Sequence, residues 1–164
     1  MKKVLLLVLF LCFSLIACDM VADDSGIPEH FLMILDSYDE QYQNRESSYE
    51  TDEIYRCYNL EDQQYYFITK TTGYDEDMLI GVLMKSEAIL SVDILYENES
   101  DKYGEYVTED WFLERFVMDL TDKLELVKMK KNNDNEVVAI TGATMSSQGV
   151  LDAVNKCITI MEDK

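Results

Sequence analysis

Histidine is almost absent from this chain, because His30 is the only one among 164 residues. The sequence has four cysteines, and no two of them form a Cys-x-x-Cys pair. A histidine-rich metal site and a Ser-His-Asp triad both require residues that the chain does not contain. We therefore predict no metal site and no catalytic residues of the hydrolase type, and we interpret His30 as a surface residue.

Basic residues are also scarce, with 14 lysines and arginines against 33 acidic residues. Such a negative field repels nucleic acid at long range, so the composition indicates that the chain does not bind nucleic acid. Solubility outside the cell is a sufficient explanation of the same charge. By itself it identifies no partner.

Long hydrophobic runs are missing except at the amino terminus. Two lysines precede an apolar run over 4–13, which is shorter than the roughly 20 residues of a membrane-spanning helix and is typical of a secretory signal. The sequence Leu-Ile-Ala-Cys that ends at Cys18 resembles a bacterial lipobox, which implies cleavage before that cysteine and lipidation of its sulfur. We predict an extracytoplasmic lipoprotein anchored to a bacterial membrane. An ordinary signal peptide is the alternative.

The length bounds the number of domains. Removal of a signal peptide over 1–17 leaves 147 residues, of which 12 are basic and 33 acidic, for a formal charge of −21. That length fits one domain with a sizeable core. We predict a tether over 18–26, an N-terminal helix with its connector over 27–53, and one folded domain over 54–164. Two cysteines remain in the folded part, and the sequence leaves open whether they pair.

The spacing of apolar residues predicts helices and strands in alternation. Runs rich in β-branched and aromatic residues predict two hairpins, whereas apolar side chains three and four residues apart predict three helices. The predicted segments are a helix over 29–43, hairpins over 54–70 and 78–96, a helix capped by Thr108 with Phe112, Phe116 and Leu120 on one side, short strands over 123–130 and 136–140, and a helix from about Ser147. This order favours an α+β fold with a mainly antiparallel sheet and flanking helices.

The segment Thr-Gly-Ala-Thr-Met-Ser-Ser, residues 141–147, stands between a predicted strand and the last helix. A helix start has unpaired N–H groups and a partial positive charge, and Gly142 and Ala143 would let a phosphate approach the backbone. The hydroxyls that add donors are those of Thr141, Thr144, Ser146 and Ser147. Ordinary capping of the helix is the alternative function of the segment.

The same segment, followed by Gly-Val-Leu-Asp-Ala-Val-Asn, resembles the flavin-attachment motif of the FMN-binding domain family. Two upstream blocks, 72–100 and 103–116, resemble in the same order parts of two members of that family. These members are the G subunit of the Rnf electron-transport complex and the C subunit of the sodium-pumping NADH:quinone reductase. The resemblance covers most of the domain and implies that the chain carries FMN.

The resemblance also implies roles for individual residues. It implies a phosphoester between FMN and Ser146, made by a separate flavin transferase. It places Thr141, Gly142, Ala143, Thr144 and Ser147 around the phosphate, and Glu99 and Ser100 in a loop near the flavin. The side chains that could pack on the flavin ring, or else belong to the core, are Tyr103, Tyr106 and Trp111.

Two departures from the family pattern weaken the implied covalent link. Val138 occupies the usual place of an aspartate, with Glu136 two residues earlier, and the loop over 99–104 lacks the family's proline and first glycine. We predict an electron-transfer flavoprotein module, rather than a stand-alone enzyme, that works with a membrane redox partner. The alternative is a non-redox binding or interaction lipoprotein of the envelope with a degenerate FMN-binding fold.

Overall fold

The structure is a computed structural model that describes residues 24–100, 102–120 and 122–163. The predicted signal peptide, Cys18 and most of the predicted tether lie outside these residues. Within the described ranges, each helix is too short or too polar to cross a membrane.

A five-stranded antiparallel sheet forms the centre of the molecule, with its strands in the order of the sequence. The strands are β1 (Ile54–Asn59), β2 (Gln64–Thr72), β3 (Asp77–Lys85), β4 (Ala88–Tyr96) and β5 (Met118–Asp119). Two further strands, β6 (Glu125–Val127) and β7 (Glu136–Val138), form a separate parallel pair. Both predicted hairpins are present, and the predicted α+β class with a mainly antiparallel sheet is confirmed.

Two long helices cover opposite faces of the sheet. These are α1 (Glu29–Gln41) and α3 (Thr144–Glu162), and the short helix α2 (Asp110–Leu113) lies between them in the chain. Successive side chains of a strand point to opposite faces, so Phe67 of β2 joins the cluster under α3 while its neighbours Tyr66 and Ile68 join the cluster under α1. We call these two packed layers the α3 face and the α1 face. The central strand β3 has no polar side chain from Met78 to Met84, because both of its sides are covered.

A buried arginine ties the amino-terminal segment to the sheet. The guanidinium of Arg56, whose side chain is 1 % exposed, donates to both carboxylate oxygens of Asp24 and to Oδ2 of Asp39, each at 2.9 Å. Burial acts to lower the pKa of Arg56, but the hydrogen bonds to the two aspartates outweigh it and the pKa is raised. The hydroxyl of Tyr58 donates to Asp39 at 2.8 Å. The chain is therefore fastened to β1 from Asp24 onward.

The helix predicted after Thr108 is much shorter than expected. The Thr108 hydroxyl donates to the carbonyl of Glu105 at 2.8 Å and does not cap α2. The four-residue helix continues as a 3₁₀ turn, Glu114–Phe116. Met118 then pairs with Ile89 of β4. The helix predicted from the apolar spacing therefore ends early, because the residues after Val117 pair with the sheet instead.

The last helix begins earlier than predicted, at Thr144 rather than near Ser147. Ser147 lies inside the first turn, where its hydroxyl donates to the carbonyl of Ala143 at 2.8 Å and accepts from the amide of Ile140 at 3.0 Å. These bonds join the helix to the chain that leaves β7. Four of the seven residues of the 141–147 segment are therefore helical.

The two cysteines of the folded part are free thiols in the core of the α3 face. Cys57 lies on β1 and Cys157 on α3. Burial raises the pKa of each thiol, which keeps both protonated.

Candidate cofactor site at the start of helix α3

The turn that leads from β7 into α3 leaves backbone donors available. Gly142 has a φ of +89°, in the left-handed region that favours glycine. Ala143 precedes the helix, and no side chain forms a capping hydrogen bond there. The first N–H groups of a 19-residue helix, with the positive end of its dipole, therefore lie beside a turn that lacks a side chain at Gly142.

The side chain of Glu99 joins three segments beneath this turn. Its carboxylate, 7 % exposed, accepts from the amide of Tyr74 at 2.8 and 3.0 Å and from the amide of Asp75 at 3.3 Å. It also accepts from the hydroxyl of Ser146 at 2.5 Å. Because the acceptor is charged, these bonds are stronger than those between neutral groups. Glu99 therefore fixes the loops after β2 and β4 to the first turn of α3, a role that the family resemblance did not indicate.

Two glycines allow the Glu99 side chain to lie so close to the backbone. A Cβ on Gly73 would overlap the Glu99 carboxylate, and a Cβ on Gly104 would lie 2.8 Å from Cβ of Glu99. Both glycines come from the blocks that carry the family resemblance. Their role here is to make room for a buried carboxylate rather than to approach a ligand.

The predicted hydroxyl groups fall into two classes. Ser146 and Ser147 are buried, at 1 % and 0 % exposure, and both hydroxyls are hydrogen-bonded within the protein. Thr141 and Thr144 are exposed on the turn. Ser100 is exposed too, in the loop that contains Glu99. The residue predicted as the phosphoester acceptor, Ser146, is therefore not accessible in the described structure, whereas Thr144 is.

The three aromatic residues that could contact a flavin all lie at the surface, so the alternative core role does not apply to them. Tyr103 is 52 % exposed, Trp111 45 % and Tyr106 38 %. The guanidinium of Arg115 covers the Trp111 ring at 4.7 Å from its centroid. Tyr106 meets the ring of Tyr103 edge to face, with centroids 6.4 Å apart.

Val138, at the position where the family has an aspartate, and the nearby Glu136 both form hydrogen bonds within the protein. The carbonyl of Val138 accepts from Nη1 of Arg115 at 2.5 Å. The carboxylate of Glu136 accepts from the amide of Asn132 at 2.6 Å and from Nδ2 of Asn133 at 2.8 Å. The hydrogen bond from Asn132, followed by that from Asn133, lowers the pKa of Glu136. Glu136 therefore stabilises its own loop and does not replace the missing aspartate.

The sequence model of the FMN-binding domain matches residues 73–159, just over half of the chain and all of the site described above. The chain belongs to the FMN-binding domain family. Its cofactor is FMN. A comparison with curated proteins found no match.

Two solved structures resemble this member of the FMN-binding domain family in fold. They are the C subunit of the Na⁺-translocating NADH-quinone reductase of Parabacteroides distasonis (14 % identity, TM-score 0.52) and NqrC of Shewanella oneidensis (22 % identity, TM-score 0.53). Each match covers 66 % of this chain, and 62 % and 59 %, respectively, of those chains. The chain thus spans about three fifths of the length of either structure.

The residues at the start of α3 fit the phosphate end of FMN. The N–H groups of the uncapped first turn and the hydroxyls of the exposed residues Thr141 and Thr144 supply neutral donors, and Gly142 beside them has no side chain of its own. The local donors matter because the chain as a whole is strongly negative and opposes the approach of an anion.

Proposed function

We propose that this protein is an extracytoplasmic, lipid-anchored flavoprotein that relays electrons between a membrane redox partner and an outer acceptor. The observation that supports the proposal best is the exposed Thr144 hydroxyl, beside Gly142 at the uncapped start of α3, within the region matched by the FMN-binding domain. FMN can accept two electrons and release them one at a time. The protein contributes binding, orientation and a fixed position near the membrane.

The linkage to FMN is proposed to be a phosphoester at Thr144, in place of the Ser146 assignment implied by the family resemblance. The Thr144 oxygen would lose its proton and displace the leaving group of an activated flavin phosphate, such as the nucleotide half of a flavin dinucleotide, which the transferase binds. A transferase must reach the acceptor oxygen. Thr144 is exposed, whereas Ser146 is 1 % exposed and its hydroxyl donates a hydrogen bond to Glu99. Reaction at Ser146 would require opening of the first helical turn and loss of a charge-assisted hydrogen bond. Ser146 then acts as a structural residue under the site.

The remaining polar residues of the turn would hold the phosphate. The hydroxyl of Thr141 and the amides of the first helical turn are the available donors. Ser147 would act indirectly, because its two hydrogen bonds hold the turn to the start of the helix. Glu99 would act in the same indirect way, through Ser146 and the amide of Tyr74.

The proposed anchor has a short reach. Six residue steps separate Cys18 from Asp24, which is bound to Arg56, and a fully extended chain spans about 20 Å over that number of steps. A lipid on Cys18 would therefore keep the domain, with its FMN, close to the membrane. Metabolic labelling with a fatty acid should mark the wild type and not Cys18→Ser, and equal labelling of the two would contradict the anchor.

The covalent site can be tested by producing the protein together with a flavin transferase. We expect a fluorescent flavin band after denaturing electrophoresis of wild type and of Ser146→Ala, and no fluorescent band for Thr144→Ala. Thr141→Ala is the matched control, because it removes a neighbouring exposed hydroxyl. Peptide mass spectrometry should locate the flavin on Thr144.

Each other outcome has a separate meaning. Loss of the band only in Ser146→Ala, with an unchanged unfolding curve, would return the assignment to Ser146. Binding of FMN that is released on denaturation would contradict the phosphoester and leave the cofactor role intact. Failure of the wild type to retain any FMN would favour the non-redox envelope protein, for which the aspartate missing at Val138 is the supporting observation.

A further inference from the structure

The ring of Tyr103 lies directly on the Gly142 turn. A Cβ placed on Gly142 would be 3.0 Å from Cγ and 3.1 Å from Cδ2 of that ring, so the absence of a side chain at this position lets the two meet. The Tyr103 side chain is still 52 % exposed. The exposed part of the Tyr103 ring is thus available for contact beside Gly142, which lies two positions before Thr144 in the chain.

The loop that carries Tyr103 is fixed to the site rather than free. Gly104, the next residue, packs on Cβ of Glu99, and the Glu99 carboxylate binds Ser146 in the first turn of α3. The carbonyl of Tyr103 accepts from the amide of Tyr106 at 3.3 Å. These contacts place the Tyr103 ring at a defined position relative to the helix start.

The two other exposed aromatic residues of this region are less available. One face of Trp111 is covered by Arg115, whose guanidinium also binds the carbonyl of Val138. Tyr106 is directed edge to face at Tyr103 and is less exposed. Tyr103 therefore combines the greatest exposure of the three with direct contact to the turn that precedes Thr144.

We propose that Tyr103 packs against the isoalloxazine ring of FMN and quenches its fluorescence. This proposal rests on the proposed function, and it adds the residue that positions the reactive ring rather than the phosphate. Offset or edge contacts between aromatic rings contribute to affinity beyond the area that they bury, by about 2- to 10-fold. The phenol of Tyr103 can donate one electron to the photoexcited flavin and receive it back, so quenching causes no net oxidation.

The test compares flavin fluorescence yield and lifetime in holoproteins at equal flavin content. We expect Tyr103→Leu to raise the yield severalfold and to remove the short lifetime component. Tyr103→Phe should raise the yield as well, because phenylalanine keeps the ring contact but lacks a readily oxidised phenol. Where FMN is bound without a covalent link, Tyr103→Leu should weaken its affinity by about 2- to 10-fold and Tyr103→Phe by less.

Tyr74→Leu is the matched control. Its side chain is 62 % exposed and only its backbone amide holds Glu99, so we expect the fluorescence of wild type. Wild-type fluorescence in Tyr103→Leu, or recovery of fluorescence in Tyr106→Leu instead, would overturn the assignment while FMN remains bound. A wild type that retains no FMN would overturn the proposed function and this contact together.

Discussion

On the α1 face of the sheet, helix and strands meet through aromatic rings and a buried arginine, whereas the α3 face is packed mostly with aliphatic side chains. Among the described residues, four of the seven buried apolar residues under α1 are aromatic, against three of twenty-two on the α3 face. The polar network of Arg56, Asp24 and Asp39 belongs to the α1 face. The FMN-binding domain match, residues 73–159, contains α3 except its last three residues and omits α1, β1 and β2.

This difference indicates that the two faces have different tasks. The α3 face carries the proposed cofactor site, so its packing should determine the geometry of the turn before Thr144. The α1 face covers the opposite side of the sheet and fastens the chain that follows the predicted anchor. Changes on the α1 face should therefore reduce stability and leave FMN binding intact, whereas changes on the α3 face should affect both.

The largest effect is expected from Arg56→Ala, which leaves Asp24 and Asp39 without their buried partner. The loss of its charged hydrogen bonds to the two aspartates should lower the free energy of unfolding by about 3–5 kcal/mol, measured by urea denaturation. The protein that remains folded should bind FMN as the wild type does. Arg45→Ala removes a more exposed guanidinium from its pair with Glu50 and from a longer contact with Asp39 at 3.6 Å, and it should cost less than about 1 kcal/mol. Equal effects of the two substitutions would contradict the role given to Arg56.

Alanine substitution of one buried leucine on each face compares the two faces directly. Leu35 is buried under α1 at 0 % exposure and Leu151 is buried on α3 at 3 %. Each substitution by alanine should cost about 2–4 kcal/mol through lost burial and a residual cavity. Only Leu151→Ala should also weaken FMN binding, measured by titration under conditions where both variants are folded. Equal FMN affinity in the two variants would show that the site does not depend on α3 packing.

Single hydrogen bonds should give smaller effects. Tyr58→Phe removes a bond to the charged Asp39 on the α1 face and should cost about 1.5 kcal/mol. Thr71→Val removes a bond from the Thr71 hydroxyl to the carbonyl of Gly149 on α3 and should cost about 1 kcal/mol. Thermal unfolding measures the loss of stability in both variants. A larger cost for Thr71→Val would indicate that the polar contacts of the α3 face are the more important ones.

The smallest effect is expected near the turn between β2 and β3, where Lys70 binds Asp77 at 2.8 Å. The hydrogen bond from Lys70 is the main cause of a lowered pKa at Asp77, below its ordinary value of 3.8. A lowered folded-state pKa adds stability above pH 3.8, and this contribution is lost as the pH falls further. In Asp77→Asn, the free energy of unfolding should therefore fall less steeply as the pH drops below 3.8, the acid limb of its pH dependence. Near neutral pH, the substitution should lower stability only slightly. An unchanged acid limb would contradict the shift.

Most secondary structure could be predicted because local patterns decide it. The residues of β4 coincide with the predicted apolar run, and α1 begins at the predicted Glu29. The helix after Thr108 could not be predicted correctly, because Phe112 and Phe116 have helical spacing but the chain beyond them pairs with β4. Whether this segment continues as a helix or pairs with a strand elsewhere in the chain is decided by tertiary contacts, and the local sequence pattern does not show the outcome.

The sequence by itself determined the fold class and the FMN-binding family, since these depend on periodicity and on an ordered set of motifs, and it also supplied the segment that we propose as the cofactor site. Tertiary structure decided which hydroxyl of Thr-Gly-Ala-Thr-Met-Ser-Ser is accessible, because burial of Ser146 depends on a carboxylate 47 positions away in the chain. It also decided that Tyr103 lies on Gly142. Both contacts join residues far apart in the sequence. The number of residues between two positions does not show whether the folded chain brings them together.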